Sequence, residues 1–177
     1  MMNRFFAIAI TVVLFAVSCR KPDQYSDIPT LTFKSLSFST DSFGSRLFTL
    51  VATFTDGDGD IGYNQGDFSD PNSPYHSDYV IAIQRLKNGI WTDTLRHHYL
   101  PNTFDTIYST FQIAWRLPYL TPDGNNKGLK GDIEQTADLP LGLNDTIRFR
   151  AFLYDRALHK SNTITVPEQG GYFIHTN

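Results

Sequence analysis

The chain reads as all-β: an antiparallel β-sandwich of seven to eight short strands behind an N-terminal leader. Three observations carry this reading. After residue 19 no stretch shows helical periodicity of useful length. Apolar and polar residues alternate instead at period two, the pattern of half-buried strands. Between the alternating runs stand groups of Gly, Asn, Asp and Pro, which stop strands and turn the chain.

The first strand is expected over Leu31–Phe38. Leu31 and Phe33 share one phase and Leu36 and Phe38 the other, which places a bulge near Lys34-Ser35. The second covers Leu47–Thr55, with Phe48, Leu50, Ala52 and Phe54 on one face. The third covers Tyr79–Leu86, with Tyr79, Ile81 and Ile83 in phase. Asn88-Gly89 then signals a type I′ hairpin into Ile90–Leu95. A fifth strand, Tyr108–Leu117, alternates Phe111, Ile113, Trp115 and Leu117 with polar residues. Leu129–Thr136 is a weaker strand. Thr146–Tyr154 is strong, with Ile147, Phe149, Ala151 and Leu153 on one face. Thr163–Val166 closes the domain, and residues 167–177 form a tail or a short edge strand. Residues 62–78 and 118–128 are long loops, of a length that often carries function.

The leader has its own logic. A short basic start with Arg4 precedes the apolar run Phe5–Val17, and Cys19 follows, the one cysteine in 177 residues. The run has the length of a secretory h-region and is too short to span a bilayer stably. Ala16-Val17-Ser18-Cys19 resembles a bacterial lipobox. That resemblance implies a lipoprotein signal peptide over residues 1–18, cleavage before Cys19, acylation of its thiol and amine, and anchoring to the membrane through Cys19. In enterobacterial lipoproteins an Asp after the cysteine favours inner-membrane retention, so with Arg20 there the resemblance implies the outer membrane, with the periplasmic or cell-surface face left open. Residues 19–29, polar and flanked by proline, read as the lipidated cysteine and a tether, and residues 30–177 as the sandwich domain. With no second cysteine, no intrachain disulfide forms, so packing must supply the stability. A net charge of −3 and the lack of a basic run argue against nucleic-acid binding.

The sharpest internal motif is Asp56-Gly57-Asp58-Gly59-Asp60-Ile61-Gly62, directly after the second strand. Carboxylates at i, i+2 and i+4 are hard oxygen donors of the kind calcium takes. Asp56, Asp58 and Asp60 match positions 1, 3 and 5 of an EF-hand loop, but Ile61 stands where that loop has Gly, Asp67 where it has Glu, and no helices flank it. The candidate ligands for Ca2+ are Asp56, Asp58, Asp60, Asp67 and Asp155. The alternative is a solvated Asp-Gly turn. In an immunoglobulin-like sandwich this loop is B–C and residues 155–160 are F–G, and both lie at one end. Asp155 would then join the cluster, and the cluster would face the tether.

"FTDGDGDIG" after a strand, with "YDRALHKSNTI" at the last hairpin, resembles Bacteroidota lipoproteins that carry an immunoglobulin- or fibronectin III-like sandwich. The resemblance spans most of residues 30–166 and implies that fold, but brings no established activity.

Other chemistry is thinner. His76, His97, His98, His159 and His175 show no chelating spacing, since adjacent strand residues such as His97-His98 point to opposite faces. Asp67, Asp70, Asp132 and Glu134 could supply a hydrolase pair, with nothing in the spacing to select two. Tyr63, Phe68, Tyr75, Trp91, Tyr99, Phe104 and Tyr119 fall outside the core phase and could stack on sugars or meet a protein partner. The expectation is a non-enzymatic, lipid-anchored envelope module with a structural or protein-interaction role. The alternative is a carbohydrate-binding surface lipoprotein of a nutrient-uptake system, and a small hydrolase ranks behind it. A coplanar strip of exposed rings near Trp91 or residues 118–128 would mark the carbohydrate-binding alternative.

Overall fold

A computed structural model describes residues 24–70, 73, 75–99, 106–110, 112–122, 127–139 and 145–174. The leader, Cys19, Phe104, Phe111 and His175 lie outside them, and for His97, His98, Tyr99 and Tyr108 only the backbone is described. In chain order the strands are β1 (Thr30–Thr40), β2 (Arg46–Asp56), β3 (Tyr79–Lys87), β4 (Ile90–Asp93), β5 (Leu95–Tyr99), β6 (Thr106–Thr110), β7 (Gln112–Trp115), β8 (Leu129–Asp138), β9 (Asp145–Leu153), β10 (Ile164–Val166) and β11 (Tyr172–Ile174).

Two antiparallel sheets make the sandwich. One has the order β1-β2-β8. The other runs β10-β9-β3-β4, with β11 also on β9 and β7 also on β3. On β9 the outer edge is shared: β10 pairs with residues 149–151 and β11 with 145–147. On β3 the outer edge is likewise shared, β7 along 79–82 and β4 along 84–87. The eleven segments therefore form three ribbons facing four, plus the separate hairpin β5–β6. The strand order is that of an immunoglobulin-like sandwich, with the β2–β3 and β9–β10 connections at the same end.

The core sits where the alternation places it. Phe48, Leu50, Ala52 and Phe54 of β2 are buried, and across from them lie Ile81, Ile83, Ile147, Phe149 and Leu153. The Phe48 and Phe149 rings meet across the sheets at 4.6 Å. Each such side chain contributes about 1.5–3 kcal/mol through burial. Gly131 of β8 leaves room for the Phe54 ring, since a Cβ there would fall 2.9 Å from Phe54 Cε1. The predicted bulge is present: the β1–β2 register shifts between Phe33 and Ser35. Asn88 and Gly89 both take positive φ, 50° and 78°, as the hairpin turn requires.

Three expectations are corrected. The run taken as one strand over Ile90–Leu95 ends at Asp93, where buried Thr94 donates its N–H to Ile83 O (3.0 Å), and Leu95 starts β5. The run taken as one strand over Tyr108–Leu117 is two: β6 pairs with β5, and β7 pairs with β3. Alternation records that a residue is half-buried but not which strand it lies against, so a change of partner leaves no mark in the pattern. Finally, the inner part of the expected tether is not free. Ser26 O accepts the Gly57 N–H (2.8 Å), Tyr25 and Asp27 lie beside Gly57, and Pro29 is buried, so this stretch touches the domain.

Candidate metal centre

The site begins where β2 ends. Asp56 is the last residue of β2 and is fully buried. Beyond it the chain turns through Gly59, at φ 72°, and drives Ile61 into the core, where Ile61 bridges to Asp155 just past β9. That bridge brings together two acids 99 positions apart. Oxygens of Asp56, Asp60 and Asp155 lie within 4.8 Å of one another. Asp155 is also fully buried.

The glycines of the motif have a packing reason. A Cβ on Gly57 would strike Tyr25 O and Ser26, one on Gly59 would strike Lys127 O and Pro122, and one on Gly62 would strike Pro118. Three other backbone segments thus press onto the loop, and only glycine admits them.

The hydrogen bonding is incomplete in one direction. Asp56 Oδ2 accepts the Asp60 N–H (2.9 Å) and Asp60 Oδ2 accepts the Ala157 N–H (3.1 Å). Asp56 Oδ1, Asp58 Oδ1 and Asp60 Oδ1 are buried and accept nothing. Buried polar atoms are nearly always satisfied, so three orphaned oxygens in one loop call for a positive partner. Electrostatics agree. Burial, aided by Asp58, Asp60 and Asp155 against the pull of the Asp60 N–H, pushes Asp56 up to about 7. Burial and then Asp155 and Asp58 push Asp60 up to about 6. Burial also raises Asp155, opposed by its bonds from His159. The arrangement is a compact all-oxygen donor set, which suits a hard divalent cation with a flexible shell.

No family model, curated protein or solved structure matches this chain.

Two further side chains, Arg156 and His159, hold the site. Arg156 Nη1 donates to Ile61 O (2.8 Å), Gly62 O (2.9 Å) and Leu120 O (3.1 Å), and Nη2 to Gly59 O and Thr121 Oγ1 (both 3.3 Å). Its guanidinium also stacks 4.0 Å from the Tyr119 ring centroid. His159 is exposed, yet its N–H bonds Asp155 Oδ1 (2.7 Å) and its Nδ1 bonds Asp155 Oδ2 (2.9 Å). It orients the carboxylate from behind. Leu158, at φ 66°, takes the left-handed turn position that glycine usually fills.

Asp67 does not join the cluster. Its Oδ2 accepts the Asn64 N–H (3.0 Å) within its own loop, because the plunge of Ile61 carries the following residues away. Arg116 anchors that loop by donating to His76 O, Asn64 O and Asp67 O (each 2.8 Å). His76 bonds Phe68 O through Nδ1 (3.1 Å). Asp132 is engaged by Lys34 (2.5 Å) and Thr53 (2.6 Å), and the Lys34 bond holds its carboxyl below the usual range. With Glu134 it lines a cleft of about 350 Å³ beside Trp115 and Leu117.

The loop aromatics pack mainly on one another. Tyr63, Phe68, Tyr75, Tyr154 and Phe152 form a chain with interplanar angles of 54°, 53°, 78° and 84°. Trp91 lies under Arg148 at 4.4 Å. Tilted and capped rings of this kind give no coplanar strip among the described residues.

Asp78, at the start of β3, offers a pH test. It is fully buried, its Oδ1 accepts the Leu117 N–H (2.7 Å), and its Oδ2 is unpartnered. Burial pushes it up to about 6, against the pull of that bond and of Arg116. A carboxyl with a raised folded-state pKa holds its proton more tightly than the unfolded chain does. Its contribution is therefore greatest below about pH 4 and is lost as pH rises towards 6. Asp78→Asn keeps the acceptor for Leu117 and is expected to flatten that slope, with a gain at pH 7 of up to about 3 kcal/mol. Urea melts at pH 4.5 and 7 check this, and parallel slopes for the two proteins would refute it.

Proposed function

We propose that this chain is a lipid-anchored, non-enzymatic β-sandwich module of the bacterial envelope, tied through Cys19 to the outer membrane and stabilised by calcium at its anchor-proximal end. The role is structural or one of protein interaction. The observation that carries the cation is the convergence of Asp56, Asp60 and Asp155, whose oxygens lie within 4.8 Å of one another, in a loop where Asp56 Oδ1, Asp58 Oδ1 and Asp60 Oδ1 are buried without a partner. Oxygen-only donors favour calcium over zinc, and an irregular set of carboxylates favours it over the rigid octahedron of magnesium. The anchor rests on the single cysteine and the lipobox-like stretch before it.

The test has two arms. Calcium titrated into the metal-stripped mature domain is expected to give a binding isotherm and a higher melting temperature. At one hundred times Kd the gain is about 2.7 kcal/mol. No heat and no melting shift would remove the cation from the reading. Separately, the full-length chain expressed in a bacterial host is expected to take up a fatty-acid label and partition with membranes, and Cys19→Ser to lose both. Equal partitioning of the two would remove the anchor.

A further inference from the structure

We infer that cation occupancy of the Asp56–Asp60 loop governs whether residues 24–29 are docked, and so sets how far the domain can stand from its anchor. This rests on the cation site proposed above. The contact between the segment and the loop falls on one peptide. Gly57 N–H donates to Ser26 O (2.8 Å), and Gly57 stands between Asp56 and Asp58, each with an orphaned Oδ1. A Cβ on Gly57 would come 2.8 Å from Ser26 C and 2.9 Å from Asp27 Oδ1. The segment therefore lies directly on the turn that links two of the ligands.

Coupling follows from geometry and charge. An ion holds Asp56 and Asp58 inward, which fixes the peptide between them and keeps its N–H aimed at Ser26. Without the ion the four carboxylates repel, the turn opens and the donor swings away. Asp27 adds a negative group over Gly57, so its approach is opposed by the bare cluster and eased by a doubly charged ion. Release has a defined limit. At Leu31 the chain is clamped by Asn162, whose Oδ1 accepts the Leu31 N–H (2.7 Å) and whose Nδ2 donates to Leu31 O (2.9 Å). The freed piece is residues 24–29, which extended adds about 20 Å of reach.

Amide hydrogen exchange on the mature chain, with and without calcium, tests this beside calorimetry on the same sample. Protection of Gly57 is expected to rise at least about tenfold on calcium addition. By linkage, Gly57→Ala, which crowds the segment off, is expected to weaken calcium binding by a similar factor. If calcium binds and Gly57 exchange does not change, the docking switch is wrong and the site stands. If calcium does not bind, both fall. The measurements on the unsubstituted loop decide the matter even if Gly57→Ala does not fold.

Discussion

Arg156→Met is expected to cost about 3–5 kcal/mol of stability. The substitution keeps an unbranched stem but strips the donors from Ile61 O, Gly62 O and Leu120 O, with Gly59 O and Thr121 Oγ1 beyond them. A half-buried carbonyl left without a donor costs about 1–3 kcal/mol. Not all of these bonds are lost outright, because the outer ones can turn to water. Arg156→Lys is expected to recover less than half, since one ammonium cannot reach acceptors spread over two loops as a planar fork does. Urea denaturation of the three proteins measures the series. A methionine variant within about 1 kcal/mol of the parent would show that Arg156 does not hold the loops together.

Asp56→Asn is expected to act in opposite directions with and without calcium. In the metal-free domain it removes a buried charge from a repelling cluster while keeping an oxygen for the Asp60 N–H, so the melting temperature is expected to rise. With calcium it removes a ligand, and affinity is expected to fall on the order of a hundredfold, about 2.7 kcal/mol. The calcium-induced rise in melting should shrink accordingly. Thermal melts over a calcium series read both effects at once. A variant that loses stability in both conditions would mean that Asp56 is simply a structural acceptor.

Much of this architecture was legible because strand alternation reports burial directly. The β2 phase, the bulge between Phe33 and Ser35, and the Asn88-Gly89 turn were all readable from residue type and spacing. The approach of Asp155 to Asp56 and Asp60 followed from topology, once two sheets were assumed to pair as an immunoglobulin-like sandwich does. Asp67 was misjudged because ligand spacing was counted along the chain, whereas Ile61 diverts the backbone into the core. Arg156 and Arg116 were invisible for a different reason. A guanidinium that binds backbone carbonyls has no partner residue type to look for, and its acceptors lie 35 to 97 positions away. The fifth strand was read as unbroken because pairing partners leave no trace in period-two patterns.

The shared outer edges of β9 and β3 bear on how this protein behaves in a crowd. A long, straight, unpaired strand border is a template on which another chain can add. Among the described residues neither border of the larger sheet offers one: each is tiled by two short pieces with a break between them, β10 then β11 on one side and β7 then β4 on the other. In the smaller sheet the β1 border is bent by its bulge, and β8 carries Lys130, Asp132 and Glu134 along its length. Such broken and charged borders give a second copy of the domain little straight backbone to add to.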